Sequence, residues 1–291
     1  MGAGAVGCYY GFRLARAGHP VTLIGRPALV EAAADGLVLE TGGGRAAVPV
    51  TATAEAAGVA GADLVLVCVK STDTEAAGRA IAPHLAPGAA VLSLQNGVDN
   101  AARLGAVIGR PVVPVAVYVA VEMAGPAHVR HHGRGDLILG AGEPGARAAA
   151  ILAAAGVDAA VSERAMEALW GKLVVNCAWN ALSALTQFSY GRLLDGAGVR
   201  EAMADAVAEC VAVARADGVA VPGDILETVY GIGAAMPDQR SSTAQDLGRG
   251  RRSEIDHLNG YVVRRGAAHG IPTPVNRLLH TLVRLAEAGR G

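Results

Sequence analysis

The sequence predicts an α/β fold: a doubly wound, mainly parallel sheet in the first part of the chain, followed by a second domain that is all helical. Three observations predict it. The chain opens on Gly2-Ala3-Gly4-Ala5-Val6-Gly7, a G-x-G-x-x-G loop. Two continuous apolar runs of strand length follow, "ADLVLVCVK" from Ala62 and "AAVLSLQNG" from Ala89, as expected of parallel strands covered on both faces. After Val161 the strand patterns stop and helical ones run to the end, which gives domains of 1–161 and 162–291.

Each element has its own justification. In a dinucleotide-binding βαβ unit the first glycine makes a tight turn, the second lets backbone approach a pyrophosphate, and the third lets the next helix pack against the sheet. Gly2, Gly4 and Gly7 take those places, with Ala5 and Val6 between them, so the loop is a candidate cofactor site of Rossmann type. Cys8 to Ala17 reads as a helix with Cys8, Phe12 and Ala15 at helical spacing, and Gly18 stops it. "VTLIG", Val21 to Gly25, is a short β-branched strand. The strand that should precede the loop does not appear in the sequence. Met1 is therefore expected to be an internal methionine of a longer native protein. The chain as it stands is expected to bind cofactor weakly and to aggregate through strand edges.

Ligands of open α/β sheets bind beyond the carboxyl ends of the strands, which draws attention to Lys70, Gln95 and Asn96. Further short strands are expected in "VVPVAVYVAV", "AHVRHHG", "DLILGAG" and "VDAAV", with a surface helix in the Ala/Gly-rich stretch 141–156. Ser162 is a plausible N-cap for the first helix of the second domain, with Glu163 in its first turn. "MPDQRSS" breaks the helices near Pro237. A final helix is expected from Ser253 to His269, ended by Pro272 and Pro274.

Composition excludes several classes. The longest apolar stretch, from Pro111, is interrupted by Pro114 and carries Glu122, so no membrane span is expected. No basic segment precedes an apolar run at the start, and a cytoplasmic location is the expectation. Cys8, Cys68, Cys177 and Cys210 lie far apart with no C-x-x-C pair, which argues against disulfides and against a metal site. A net charge of -1 gives no case for nucleic acid. The expected partner is a small molecule.

Of 25 basic residues only Lys70 and Lys172 are lysine. Arginine cannot release a proton near neutral pH whereas an ammonium can, so a required proton donor would resist replacement. Lys172 opens "KLVVNCAWNALSALTQ", in which Asn176 and Asn180 follow at i+4 and i+8 on one helix face. Leu173, Val174 and Cys177 fill other faces. Polar groups on such a buried helix need a partner, and either a substrate carboxylate and keto oxygen or a structural polar network would serve. Glu254 lies twelve residues beyond Ser242, at the start of the expected last helix. It is either a cleft carboxylate or a first-turn acid favoured by the helix dipole.

The glycine loop, "CVKSTDT", "LQNGVDN", "HHGRG", "KLVVNCAWNALSAL" and "SSTAQDLGRGRRSEIDHLNGYVVRRGAAHGIPTP" together closely resemble the ketopantoate reductases (2-dehydropantoate 2-reductases) over essentially the whole chain. The resemblance implies reduction of ketopantoate or a related 2-keto acid by NADPH. It implies Lys172 and Glu254 as catalytic residues, and Asn96, Asn176, Asn180 and Ser242 as substrate contacts. It also implies Lys70, Asn96, Ala120 and Glu254 on the cofactor side, beside the glycine loop. One departure stands out: members acting on ketopantoate commonly have Asn-Gly where this chain has Tyr190-Gly191, which points to a relative of ketopantoate as substrate. Arg26 stands at the end of the second strand, where NAD-selective folds place an acid, and is expected to meet a 2'-phosphate. A homodimer is left open. The alternatives are a β-hydroxyacid dehydrogenase, whose N-terminal substrate signature has no counterpart here, and a non-enzymatic NADP-sensing protein, which would not need an intact Lys172 face.

Overall fold

The computed structural model describes residues 1–289. The glycine loop runs straight into α1 (Ala5–Arg16), three residues ahead of the expected start, and Cys8, Phe12 and Leu14 on its inner side are buried. The chain continues through β1 (Thr22–Ile24), α2 (Pro27–Ala32), β2 (Leu37–Thr41), β3 (Gly44–Val48) and β4 (Thr51–Thr53). It goes on to β5 (Leu64–Val67), α3 (Thr74–Ile81), β6 (Ala90–Ser93) and α4 (Asn100–Ile108). The last elements of the first unit are β7 (Val113–Gly125), β8 (His128–Gly140), α5 (Glu143–Ala154) and β9 (Ala159–Ser162).

β5, β6 and β7 pair in parallel, as the continuous apolar runs of the first two suggest. β7 then turns back on itself: β7 and β8 form one long antiparallel hairpin with irregular register at Tyr118/Val119 and Ala120/Val121. The two expected strands "AHVRHHG" and "DLILGAG" are thus a single strand, because the glycines between them, at φ +156° and +148°, bend it without ending it. β8 carries β2 beside its first half and β9 beside its second, both parallel, and β3 closes that edge antiparallel to β2. β1 and β4 form a separate parallel pair.

Met1 lies between the two groups of strands. Its amino group donates to the Leu66 carbonyl at 2.8 Å, its carbonyl accepts from Cys68 N–H at 2.8 Å, and Gly2 N–H donates to the Ile24 carbonyl at 3.0 Å. One residue therefore makes the strand-like connection between β5 and β1. Two apolar clusters flank this line. Leu14, Leu23 and Leu92 belong to one, and Ile24, Val65 and Ile81 to the other.

A second compact unit begins at Glu167, and its elements are helical. They are α6 (Ala165–Thr186), α7 (Tyr190–Leu194), α8 (Val199–Ala216), α9 (Ile225–Ala235), α10 (Ser242–Gly248), α11 (Asn259–Ala268) and α12 (Pro274–Ala288). Three expectations are corrected here. Ser162 ends β9 and does not cap a helix; its hydroxyl accepts from Arg164 N–H in a turn. Glu254 does not begin an α-helix but precedes a 3-10 turn, Ile255–His257, after which α11 starts at Asn259. The helix ahead of Pro272 and Pro274 does stop there, at Ala268, but it is not the final one. Pro274 opens α12, whose first amides, Val275 and Asn276, donate to the Glu209 carboxylate of α8 at 2.8 and 2.9 Å.

Among the described residues no helix is long and apolar enough to cross a membrane, and no group of three His, Cys, Asp or Glu side chains is placed to hold a metal.

Candidate functional site

In the first unit the glycines hold the loop for geometric reasons. Gly2 sits at φ +90°, and a Cβ there would stand 2.5 Å from the Val69 nitrogen. A Cβ on Gly7 would stand 2.5 Å from the Gly2 carbonyl oxygen, so α1 lies directly against the turn. Gly4, by contrast, has nothing within 4 Å of a built Cβ. It is the N-cap of a twelve-residue helix with no acid in its first turn, and Ala5 and Val6 follow in that turn. Open space over a helix N-terminus suits an anionic pyrophosphate, since the first-turn amides and the dipole favour negative charge there.

Arg26 is next to this loop. The Ile24 carbonyl accepts from both Gly2 and Ala3 N–H at 3.0 Å, and a Cβ on Gly25 would meet the Ala3 methyl at 2.9 Å. Arg26 follows Gly25, exposed, as the N-cap of α2.

Lys70 and Asn96 stand just past the carboxyl ends of β5 and β6. Lys70 is half-buried and precedes the 3-10 turn Ser71–Asp73. The Asn96 carbonyl accepts from the Ser71 hydroxyl at 2.8 Å and from the Asn100 amide at 2.5 Å. Thr74 Oγ1 in turn donates to Asn100 Oδ1 and accepts from the Gln95 amide at 2.7 Å. Arg103 closes the cluster, donating to the Glu75 carboxylate and the Ser71 carbonyl. Gln95, placed by strand position with Lys70 and Asn96, is a buried member of this scaffold, bonded to Ser93 and Thr74. The sequence reading missed Ser71, Thr74, Asn100 and Arg103. Their positions become readable only when the loops after β5 and β6 are known to touch. Ala120 lies on the part of β7 that extends beyond its pairing with β6, opposite Gly133 of β8.

In the second unit Lys172, Asn176 and Asn180 share one side of the 22-residue α6. Lys172 and Asn176 are half-buried, Asn180 is buried, and Leu173, Val174, Cys177 and Ala178 around them are buried in the helical core. Ser242, the predicted substrate contact, is exposed at the first position of α10. Its neighbour Ser241 fixes that helix: Ser241 Oγ accepts from Ala244 N–H and donates to the Asn180 carbonyl at 3.2 Å. Ser241 N–H donates to the Ser183 hydroxyl at 3.2 Å. α10 is thus tied to the α6 backbone at Asn180, a connection that adjacent serines in a sequence do not disclose. Glu254 is half-buried, and its carbonyl accepts from His257 N–H at 2.8 Å.

Tyr190 is a core residue. Its ring packs 4.5 Å from Trp179, it is 9% exposed, and burial pushes its phenol up to about 12. The indole N–H of Trp179 donates to the Val229 carbonyl at 2.9 Å.

An α/β unit with a dinucleotide-type glycine loop, joined to a helical unit bearing a lysine–asparagine ladder, defines a class of two-domain oxidoreductases. Two family models match in tandem: ketopantoate reductase PanE/ApbA over residues 1–144 and the ketopantoate reductase PanE/ApbA C-terminal domain over residues 164–287. The chain belongs to the ketopantoate reductase family and is an oxidoreductase. It is 38% identical to a 2-dehydropantoate 2-reductase of Halobacterium salinarum, over 99% of this chain and 97% of that one. Among solved structures, a PanE/ApbA family ketopantoate reductase from Ralstonia eutropha superposes with TM-score 0.97 at 58% identity, covering 100% and 98% of the two chains. A putative ketopantoate reductase from Ralstonia solanacearum gives 0.88 at 31% identity, covering 100% and 97%.

Proposed function

We propose that this protein reduces ketopantoate, or a close 2-keto acid relative, to the 2-hydroxy acid with NADPH. The observation that carries the reading is the ladder of Lys172, Asn176 and Asn180 along one side of α6, among the buried Leu173, Val174, Cys177 and Ala178. An ammonium and two amides one turn apart are spaced to meet the carboxylate and the carbonyl oxygen of a 2-keto acid. Membership in the family supports the same substrate class.

The residues present fit a nicotinamide dinucleotide. The open space at Gly4 and the first-turn amides of Ala5 and Val6 would hold the pyrophosphate, and Arg26 would meet the 2'-phosphate. Lys70, Asn96 and Ala120 would line the rest of the cofactor. When bound, NADPH supplies the hydride that reaches the 2-keto carbon. Lys172 hydrogen-bonds the keto oxygen as an ammonium and gives it a proton as negative charge develops. Asn176, Asn180 and Ser242 orient the carboxylate and hydroxyl without adding a competing charge. By resemblance to the family, Asn96 of the first unit and Glu254 of the second are each assigned a role in the reaction. In this division of labour the first unit is the NADP-binding domain and the helical unit supplies catalysis and substrate contacts. Tyr190, packed on Trp179, gives the site no amide at that place, so a 2-keto acid with one polar contact fewer than ketopantoate is the natural competitor as substrate.

The test is steady-state turnover of NADPH and NADH with a panel of 2-keto acids that includes ketopantoate. The expected result is turnover with NADPH and preference for a branched 2-keto acid. Cofactor binding without turnover of any 2-keto acid would favour an NADP-sensing role.

A further inference from the structure

Four helices of the second unit meet along a chain of polar side chains in its interior. The chain starts at the half-buried Glu209 of α8, whose carboxylate accepts from the Val275 and Asn276 N–H groups that open α12 and from Asn276 Nδ2 at 2.8 Å. Asn276 Nδ2 also donates to the Ala206 carbonyl at 3.1 Å. Asn276 Oδ1 accepts from Asn259 Nδ2, at the first position of α11, at 3.0 Å, and from the Cys210 thiol at 3.7 Å. The other hydrogen of Asn259 Nδ2 goes to the Cys177 carbonyl of α6 at 3.0 Å. Both asparagines are fully buried. A Cβ on Gly260 would stand 2.8 Å from His280 Nε2, so the glycine after Asn259 lets α11 lie close against α12.

The order of donors and acceptors along this chain has one source. An ionised carboxylate only accepts, so Asn276 must turn Nδ2 to Glu209 and Oδ1 to Asn259. Asn259 must then present Nδ2. Turned over, it would set its oxygen against two acceptors, Asn276 Oδ1 and the Cys177 carbonyl. A charge on α8 thereby dictates which atom of α11 meets the main chain of α6.

This arrangement works against stability. Asn259 Oδ1 is buried with no hydrogen-bond partner among the described residues, and an unsatisfied buried acceptor carries its full desolvation penalty. The Cys177 carbonyl, moreover, already accepts from Ala181 N–H within α6, so Asn259 is a second donor there. An apolar side chain of similar volume would avoid the penalty. What Asn259 adds is a fixed point on α6 at Cys177, between Asn176 and Asn180 of the ladder.

We propose that Asn259 is a positioning residue for the reaction: its Nδ2, aimed by Glu209 through Asn276, holds the α6 main chain at Cys177 where Lys172, Asn176 and Asn180 meet the substrate together. This rests on the reading of that ladder as the 2-keto acid site. Placement of this kind matters to rate because a shift of about 1 Å caused by a distant change can cost ~10²-fold.

The test is Asn259→Leu, measured with whichever 2-keto acid of the panel the wild type reduces fastest. The expected result is kcat/KM for the 2-keto acid about 10- to 100-fold lower, NADPH affinity unchanged, and a urea midpoint close to that of the wild type, since the orphaned oxygen leaves together with the two hydrogen bonds. Amide exchange at Ala181 should become about tenfold faster as the anchor on its partner carbonyl is lost, with the amides of the first turn of α6 unchanged. A merely structural Asn259 would instead lose activity only in step with the folded fraction. Glu209→Gln keeps the size of the side chain but removes the charge that orders the amides, and should lower kcat/KM in the same direction by about three- to tenfold; it decides the matter should Asn259→Leu not fold. A folded Asn259→Leu protein with kcat/KM within twofold of the wild type, or with exchange at Ala181 unchanged, would overturn the proposal. Absence of turnover in the wild type would count against the 2-keto acid reading, while exchange at Ala181 still tests whether Asn259 holds α6.

Discussion

Lysine is where single residues say most. In a chain that uses arginine as its default cation, Lys172 stands on α6 with Asn176 and Asn180, and that face was readable from spacing because α6 is long and regular. Removing a positioned general acid typically costs ~10²- to 10⁴-fold in rate. Lys172→Ala should lower kcat by that order with NADPH binding nearly unchanged, and Lys172→Arg should not rescue it, since guanidinium keeps its proton. Steady-state kinetics and cofactor titration check both; a Lys172→Ala enzyme within threefold of wild type removes the residue from the mechanism. Ser241 and Ser242 show what spacing could not resolve. One caps α10 and holds the Asn180 carbonyl while the other is exposed, and only the helix start distinguishes them. Ser241→Ala should cost about 1 kcal/mol of stability in urea melts, the usual loss for an N-cap. Ser242→Ala should leave stability within about 0.5 kcal/mol and raise the KM of the 2-keto acid about tenfold, the equivalent of one charge-assisted hydrogen bond.

Elements with a strong apolar period were readable, and those whose stability comes from distant partners were not. β5 and β6 are continuous apolar runs and appear where expected. β3 escaped notice because four of its five residues are exposed, leaving no pattern to read. α12 escaped because "GIPTP" reads as a stop, whereas Pro274 at a first helical position is a start, and the cap that secures it comes from Glu209, far away in sequence. α8 and α11 are joined by another distant contact. Asp217, at the end of α8, accepts from Arg265 Nε at 3.1 Å and lies 2.6 Å from His269 Nε2. Burial disfavours its charged form, but hydrogen bonds from Arg265 and His269 outweigh this and hold the carboxyl below the usual range. A carboxyl whose pKa is depressed on folding contributes stability above its unfolded value, near 4, and that contribution is lost as pH falls toward the folded value. Asp217→Asn should therefore lower the melting temperature at pH 7 and narrow the gap to wild type below about pH 4. A gap that stays constant from pH 7 to pH 3 would show that the charge is not what joins these helices.

The whole molecule has two compact units with separate apolar clusters, and the proposed cofactor contacts, apart from Glu254, fall in the first. Ligand that binds only the folded state stabilises it by about 2.7 kcal/mol at a hundred times its Kd. For a unit of this size that corresponds to a rise of about 5–10 °C in the melting temperature. An arginine–phosphate contact of about 1.5–3 kcal/mol separates the affinities of NADPH and NADH by roughly 10- to 100-fold. At the concentration that is a hundred times the Kd for NADPH, NADH is then near its own Kd at the weaker limit, where the stabilisation is only about 0.4 kcal/mol. NADPH should therefore raise the melting transition of the first unit by several degrees more than NADH at equal concentration. In Arg26→Ala the two curves should coincide, because the side chain that distinguishes the cofactors is gone while Gly2, Gly4 and Gly7 remain. Differential scanning calorimetry of both proteins with each cofactor decides it. Equal shifts by NADPH and NADH in the wild type would remove Arg26 from cofactor selection and leave the glycine loop without a 2'-phosphate partner on this side of the sheet.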